Sequence, residues 1–379
     1  MHCLNQGGTF LRGCCYNARF DPAHREGKMI HARNIGQSAA TPSAEADPAV
    51  LALAVSRAPL RLGVVLNPGS GANLKSPGVM RRVLDAHPQI PFREVSDPAS
   101  VERALDELAP DDIDTLVVSG GDGTVQAVLN TLLGRKPFRA MPRLVLLRSG
   151  TTNMNAADAG FGGRPERALA GLIERAGLGV AGFETTQRHI MRIDRGAGRS
   201  AIYGMSFGAA AIYQGVHYCR NNVHTMGLRG EIGPGIALLR FVAALARGEH
   251  EIASPVPMSM AIDGVKHPAA DCGILHVTTL DRLFLGMRPF WGEESAPLRL
   301  TCVRSHPRYL LRALPGLLRG RRNRWITPDN GYISHNAHRL EFNFDDQFVV
   351  DGEFFSTEPG CPLVLTDGGR LDFLTAHRR

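Results

Sequence analysis

The sequence predicts an α/β protein with an N-terminal parallel-sheet domain followed by a C-terminal, mainly antiparallel β-rich domain. Three observations point there. Short apolar runs alternate with amphipathic helical patterns from Leu62 to about residue 180, apolar runs paired across turn dipeptides dominate after it, and 379 residues exceed the usual span of one core.

The elements follow in order. Residues 1–58 are poorly periodic, and "SAATPSAEADPA" is small, polar and proline-containing, which predicts a flexible extension without chemistry of its own. Over 59–180, "LGVVL", "IPFREV", "TLVVSG" and "RLVLL" read as strands, and "GVMRRVLDAH" and "SVERALDELA" between them as helices. That alternation implies a parallel sheet covered on both faces, with ligands at the carboxyl ends of its strands. Over 181–379, "MSMAIDGVKH", "ILHVTTLDRLFLG", "LEFNF" and "FVVDGEFF" read as strands and hairpins, interrupted by a helical stretch at "GIALLRFVAALARG", with a chain end that can return to the first domain. No repeat at solenoid spacing is present.

A 44% hydrophobic and 21% charged composition is that of a globular protein, and the formal charge of +7 points to an anionic partner: nucleic acid, a phosphorylated cofactor or an anionic membrane surface. Seven cysteines without a CxxC pair argue against a disulfide framework or a structural zinc site, and fit a reducing cytoplasm. No run reaches the roughly 18 to 20 apolar residues of a membrane-spanning helix, and the N-terminus has no secretory apolar core. The expected location is therefore the cytoplasm, at most on a membrane's inner face.

In "LVVSGGDGTVQAVLN" (116–130), Gly120, Gly121 and Gly123 sit where a buried strand ends and a helix begins. Backbone N–H groups there face outward, the helix N-terminus is partly positive, and missing side chains let a phosphate approach. A plain strand-to-helix turn has the same composition. Asp122 is the unusual member, because a carboxylate in an anion cradle is costly unless it orders the loop or meets a metal ion or a ribose hydroxyl. "LNPGSG" and "LLRSGTTNMNAAD" follow two other strands, so three small-residue loops open on one sheet edge. The Walker A pattern is absent, "GSGANLKS" having Leu74 where it needs glycine, and so are the protein-kinase HRD and DFG signatures.

The order "NPGSG" (67–71), "SGGDGT" (119–124), "SGTTN" (149–153) and "VVDGE" (349–353) resembles the diacylglycerol kinase and sphingosine kinase superfamily of lipid kinases, bacterial members above all, over roughly residues 60–376. The resemblance implies an α/β ATP-binding domain, a β-rich lipid-substrate domain, and a cleft where ATP and Mg²⁺ meet a lipid hydroxyl. It implies nucleotide contacts for Asn67, Ser70, Gly120, Gly121, Asp122, Gly123, Thr124, Thr151 and Asn153, and places Asp351 and Glu353 near the transferred phosphoryl group. Asp351 would then accept the hydroxyl proton, and Asp122 and Glu353 would hold the catalytic Mg²⁺. "GTTNMNAAD" keeps the Gly, Thr and Asn of the relatives' GTGNDFAR but has Met154 in place of its Asp. "ADCGILHV" (270–277) resembles a DDG[LY] segment that helps hold a structural magnesium ion in relatives; it would make Asp271 a ligand, but Cys272 stands directly before Gly273.

Asp-Gly is also the commonest hairpin turn, found again at Asp263-Gly264 and Asp367-Gly368, which read as ordinary turns. "HPRYLLRALPGLLRGRRNRW" (306–325) sets Leu, Tyr and Trp among six arginines, as a segment in an anionic headgroup region does, and as a solvated basic helix packed by its leucines also does. No RNA- or DNA-binding motif accompanies it, so nucleic acid is not an expected partner. The expected function is an ATP-dependent kinase acting on a membrane lipid; an NAD kinase-like enzyme sharing GGDGT and a non-catalytic nucleotide- or lipid-binding regulator are the alternatives. The lipid acceptor and the oligomeric state stay open, a homodimer among the arrangements allowed.

Overall fold

Buried apolar runs build the parallel part of the sheet. β1 (Leu62–Leu66), β3 (Thr115–Gly120) and β4 (Arg143–Arg148) lie side by side, with the short β2 (Phe92–Glu94) at the edge, in the order β2-β1-β3-β4. The computed structural model describes residues 58–196, 198–222 and 254–376. The extension expected over 1–58 lies outside the described residues up to residue 57, as does the helical pattern at 235–248.

Successive strand residues point to opposite faces, so each run feeds two cores. Val65, Leu116, Val118, Leu144 and Leu146 pack on one face against α3 (Pro98–Leu108) and α4 (Asp122–Gly134). Val64, Leu66, Val117, Val145 and Leu147 pack on the other against α2 (Val79–Asp85) and α6 (Pro165–Ala176). In α3 the buried residues are Val101, Ala104, Leu105 and Leu108, the stripe a 3.6-residue period produces, and Asp97 with Ser100 forms a capping box at its start. Two short helices, α1 (Gly71–Lys75) and α5 (Met154–Ala159), follow the first and third small-residue loops.

From β5 (Glu184–Asp194) onward the pairing is antiparallel apart from one parallel contact made by the last strand. β6 (Ile202–Gly204) and β7 (Ser206–Ala210) lead into α7 (Ala211–Asn222); β8 (Val256–Ile262), β9 (Val265–Thr278) and β10 (Leu298–Arg304) precede α8 (Leu310–Arg319), and β11 (Tyr332–Ala337), β12 (Arg339–Asn343), β13 (Gln347–Val350), β14 (Glu353–Ser356) and β15 (Leu363–Thr375) complete the chain. β15 runs antiparallel to β5 and β12, then meets β4 in parallel at Phe373 and Leu144, which makes one continuous sheet.

Two of the three Asp-Gly pairs that follow residue 180 close hairpins. Asp263-Gly264 (φ 46° and 83°) joins β8 to β9, and Asp351-Gly352 (φ 49° and 89°) joins β13 to β14. Positive φ at both positions matches the twist of the flanking strands. The third is different: Asp367-Gly368 lies inside β15 at a register irregularity, where Asp367 Oδ1 accepts the Gly369 N–H at 3.0 Å and Oδ2 lies 2.8 Å from His189 Nδ1. The strand read at 274–286 also ends early, at Thr278, whose hydroxyl accepts the Leu280 N–H at 3.1 Å; Leu285 and Gly286 then turn the chain through positive φ.

Candidate functional site

The chain leaves β1 toward β2 on one side and returns as β3 on the other, so the loops after β1 and β3 part at a topological switch point. Hydrogen bonds tie these loops together. The Asn67 N–H donates to Ser119 O at 2.8 Å, its Nδ2 donates to Thr124 Oγ1 at 2.9 Å, and its Oδ1 accepts the Gly69 N–H at 3.0 Å. Ser70 Oγ donates to Asn67 O at 2.9 Å. Asn67, Ser70 and Thr124 thus brace the loop edge with their side chains. Asn73, which the sequence did not single out, is buried beneath them, with Nδ2 donating to Asn67 O at 2.8 Å and to Ser119 Oγ at 3.1 Å.

Glycine meets glycine where the third loop arrives. A Cβ on Gly150 would stand 2.6 Å from Gly121 Cα, and one on Gly71 would stand 3.1 Å from the Gly150 carbonyl. Gly120 lies just as close to its own helix, a Cβ there falling 2.5 Å from Thr124 Cβ. The Ala72 N–H donates to Ser149 O at 2.8 Å, and the hydroxyls of Ser119 and Ser149 are 2.9 Å apart. Asn153 closes the third loop in a left-handed conformation (φ 52°), its Oδ1 accepting the Gly150 N–H at 2.6 Å and its Nδ2 donating to Gly150 O at 2.9 Å. Thr151 is exposed at the rim.

Asp122, the first residue of α4, orders the loop. Its Oδ2 accepts the Met154 N–H at 3.1 Å and its Oδ1 the Asn155 N–H at 3.0 Å, so it caps the start of α5. Burial pushes its pKa up, and these two hydrogen bonds oppose the shift.

Asp351 is 2% exposed. Its Oδ2 accepts the Met205 N–H at 2.9 Å and its Oδ1 the Ser206 N–H at 3.0 Å. Burial pushes its pKa up to about 7, with the Asp122 charge adding to the rise and the hydrogen bonds from Met205 and Ser206 opposing it. Asn155, wholly buried, sets its amide beside this carboxyl and favours the anion, although neither amide atom has a hydrogen-bond partner of ordinary geometry among the described residues. Behind Ser206, whose Oγ is 3.1 Å from His276 Nε2, burial lowers the histidine's pKa to about 4 and keeps it neutral near pH 7.

Glu353 brings the hairpin to the glycine loop. A Cβ on Gly123 would overlap Glu353 Oε1 and stand 3.1 Å from its Cδ. On its other side Arg220 of α7 reaches Glu353 with Nη2 3.4 Å from Oε1, and its guanidinium lies 5.0 Å from the Phe354 ring centroid. Nothing in the sequence distinguished Arg220 from the chain's other arginines. Asp122, Asp351 and Glu353 offer the hard oxygen donors that Mg²⁺ takes; among the described residues no group of three or more His, Cys, Asp and Glu forms a cage. An ion shared between one or two carboxylates and substrate phosphates needs no such cage.

Asp271 stands apart from this cluster on β9, opposite Pro257, with its side chain exposed. Its neighbour Cys272 is buried with Sγ 3.5 Å from Cys302 Sγ. The arginine-rich segment forms α8, which buries Ala313 and Leu317 against Trp291, Val303 and Tyr332 and leaves Tyr309, Leu311 and Leu318 exposed. Arg312 and Arg324 stack on Trp325, 5.0 and 4.5 Å from the ring centroid. Among the described residues no helix is long and apolar enough to cross a membrane.

Residues 61–180 match the family model of the diacylglycerol kinase catalytic domain. A "Probable lipid kinase YegS-like" from Stenotrophomonas maltophilia (strain K279a) is 36% identical over 83 residues, a stretch covering 22% of this chain and 27% of that relative. The match thus spans about a quarter of the curated relative's length. A solved diacylglycerol kinase from Bacillus anthracis str. Sterne shares the fold with a TM-score of 0.54 at 14% identity, over 84% of this chain and 97% of that one. Another structure from that organism gives a TM-score of 0.56 at 16% identity, over 84% and 95%.

Proposed function

We propose that this chain, whose residues 61–180 match the family model of the diacylglycerol kinase catalytic domain, transfers the γ-phosphate of ATP to the hydroxyl of a membrane lipid, diacylglycerol-like or sphingoid- and ceramide-like. The observation that carries the reading is the meeting of the glycine loop and the Asp351-Gly352-Glu353 turn at Gly123.

Phosphoryl transfer to an alcohol depends mainly on positioning and charge stabilisation, because the transition state is loose. The backbone at Gly120, Gly121 and Gly123, at the partly positive N-terminus of α4, would receive the ATP phosphates. Asn67, Ser70, Asn73, Thr124 and Asn153 brace the loops around them. Asp122 and Glu353 would hold Mg²⁺, whose charge would neutralise that of the phosphates. Arg220 beside Glu353 adds a cation where phosphate charge develops.

Asp351 would accept the hydroxyl proton. Two backbone N–H groups fix its orientation, and a pKa of about 7 matches a general base working near neutral pH. The acceptor would come from an anionic membrane surface, approached by the exposed Leu311 and Tyr309 and the arginines of the 306–325 segment. The test is transfer of radiolabel from ATP to a lipid panel in mixed micelles, with products identified by mass spectrometry. Label in a lipid phosphate supports the reading. Label in NAD without vesicles, or no transfer to any acceptor, overturns it.

A further inference from the structure

A cavity of about 970 Å³ borders the later half of α5 at Ala157 and Asp158, and none of the residues assigned above to nucleotide or catalysis lines it. Its wall carries five arginines against three carboxylates. Two of the carboxylates are committed. Asp158, with a fully buried side chain, takes Arg188 Nε at 2.8 Å and Arg282 Nε at 3.6 Å. Asp281 takes Arg188 Nη2 at 2.8 Å and Arg299 Nη2 at 2.8 Å. The third, Glu184, is exposed at the start of β5.

This leaves Arg148 and Arg288 without a carboxylate partner among the described residues. Arg148 ends β4, and its Nε is cut off from solvent with no hydrogen-bond partner among the described residues. A guanidinium with no carboxylate beside it is costly to hold away from bulk water, and an anion in the cavity that pairs with its fork offsets that cost. Arginine forks pair best with a planar or tetrahedral group offering several oxygens, and phosphate offers these to two forks at once. Arg188 and Arg299 are hydrogen-bonded to their carboxylates, Arg282 pairs with Asp158 only at 3.6 Å with its Nε lacking a hydrogen-bond partner among the described residues, and together the arginines keep the surrounding potential positive.

We propose that this cavity binds a phosphate ester, held chiefly by Arg148 and Arg288. Its volume exceeds what inorganic phosphate fills, and admits the ester's organic part. The ester can be a free metabolite or the headgroup of an anionic lipid.

Isothermal titration of the full chain with glycerol phosphate, with ADP present throughout, addresses the free ester. Co-sedimentation with phosphatidylcholine vesicles with and without phosphatidylglycerol addresses the headgroup. The comparison is wild type against R148Q/R288Q, with thermal unfolding as the folding control. If the double variant does not fold, Arg288→Gln alone serves, because Arg288 is exposed. Glycerol phosphate binding weakened about tenfold or more in the variant supports a free ester. A comparable loss confined to phosphatidylglycerol vesicles supports a headgroup. If wild type and variant bind both probes equally, or bind neither, the assignment is overturned. The reading of the glycine loops as a nucleotide site stands or falls separately, on ATP affinity in glycine-loop variants.

Discussion

Gly123 and Glu353 are in such close contact that any side chain at position 123 displaces the carboxylate: an added Cβ overlaps Oε1 and lies 3.1 Å from Cδ. The glycine makes room for the acid across the cleft. Because the overlapped atom ends a flexible side chain, Gly123→Ala is expected to keep the fold, with an unfolding midpoint close to wild type, and to lower turnover about tenfold or more by moving Glu353. Gly150→Ala should behave differently. Its Cβ meets the Gly121 backbone at 2.6 Å, which cannot swing away, so a lowered unfolding midpoint is expected along with lost ATP binding. Equal thermal profiles for the two variants would contradict this distinction.

Asp351→Asn is expected to leave ATP affinity within a few-fold and lower turnover by about 10² or more, as loss of a positioned base does. Wild-type kcat/KM should rise with pH through about 7 as the carboxyl ionises, and that limb should be missing in the variant. A wild-type pH profile in Asp351→Asn would remove the residue from the chemistry.

The same carboxyl links stability to pH. Its folded pKa of about 7 lies above the ordinary value of 3.8, so the protonated form is the one the fold favours. The stability it contributes is fully present below about pH 4 and is lost as pH rises through about 7, a difference on the order of a few kcal/mol. Urea unfolding of wild type and Asp351→Asn between pH 5 and 8 should show the gap closing or reversing in favour of the variant as pH rises. A constant gap would mean that Asp351 is ionised throughout.

Asp122→Ala removes the cap on α5. The expected cost is about 1 kcal/mol, the ordinary worth of a helix cap, read from urea unfolding. Hydrogen exchange gives the local signature, with faster exchange at the Met154 and Asn155 amides that Asp122 now accepts. Unchanged protection at those amides would contradict the capping role.

Replacing Arg319, Arg321, Arg322 and Arg324 with glutamine should weaken sedimentation with anionic vesicles and raise KM for vesicle-borne lipid, each charge contributing on the order of 1 kcal/mol near the surface. Activity on a short-chain, water-soluble acceptor should hardly change. Vesicle binding that is equally strong in the variant and insensitive to salt would place the membrane contact elsewhere.

The order of strands and helices in 62–180 was legible because both faces of that sheet are covered. Uniformly apolar runs such as "LGVVL" and "TLVVSG" have no other soluble home, and the glycine runs at their ends mark where the backbone must be approached closely. Hairpins at Asp263 and Asp351 were legible because both central residues take positive φ, which Asp-Gly tolerates. The same dipeptide at Asp367 misled, since its role as a bulge depends on His189 from β5, far away in sequence. Only the tertiary structure decided what each polar side chain does. Asp122 caps α5, Asn67 and Asn73 hold loops together, Arg220 arrives beside Glu353, and Arg148 faces a cavity. The physical reason is range: periodicity and turn chemistry are local properties of the chain, whereas hydrogen bonds and charge pairs are set by segments that long-range strand pairing brings together.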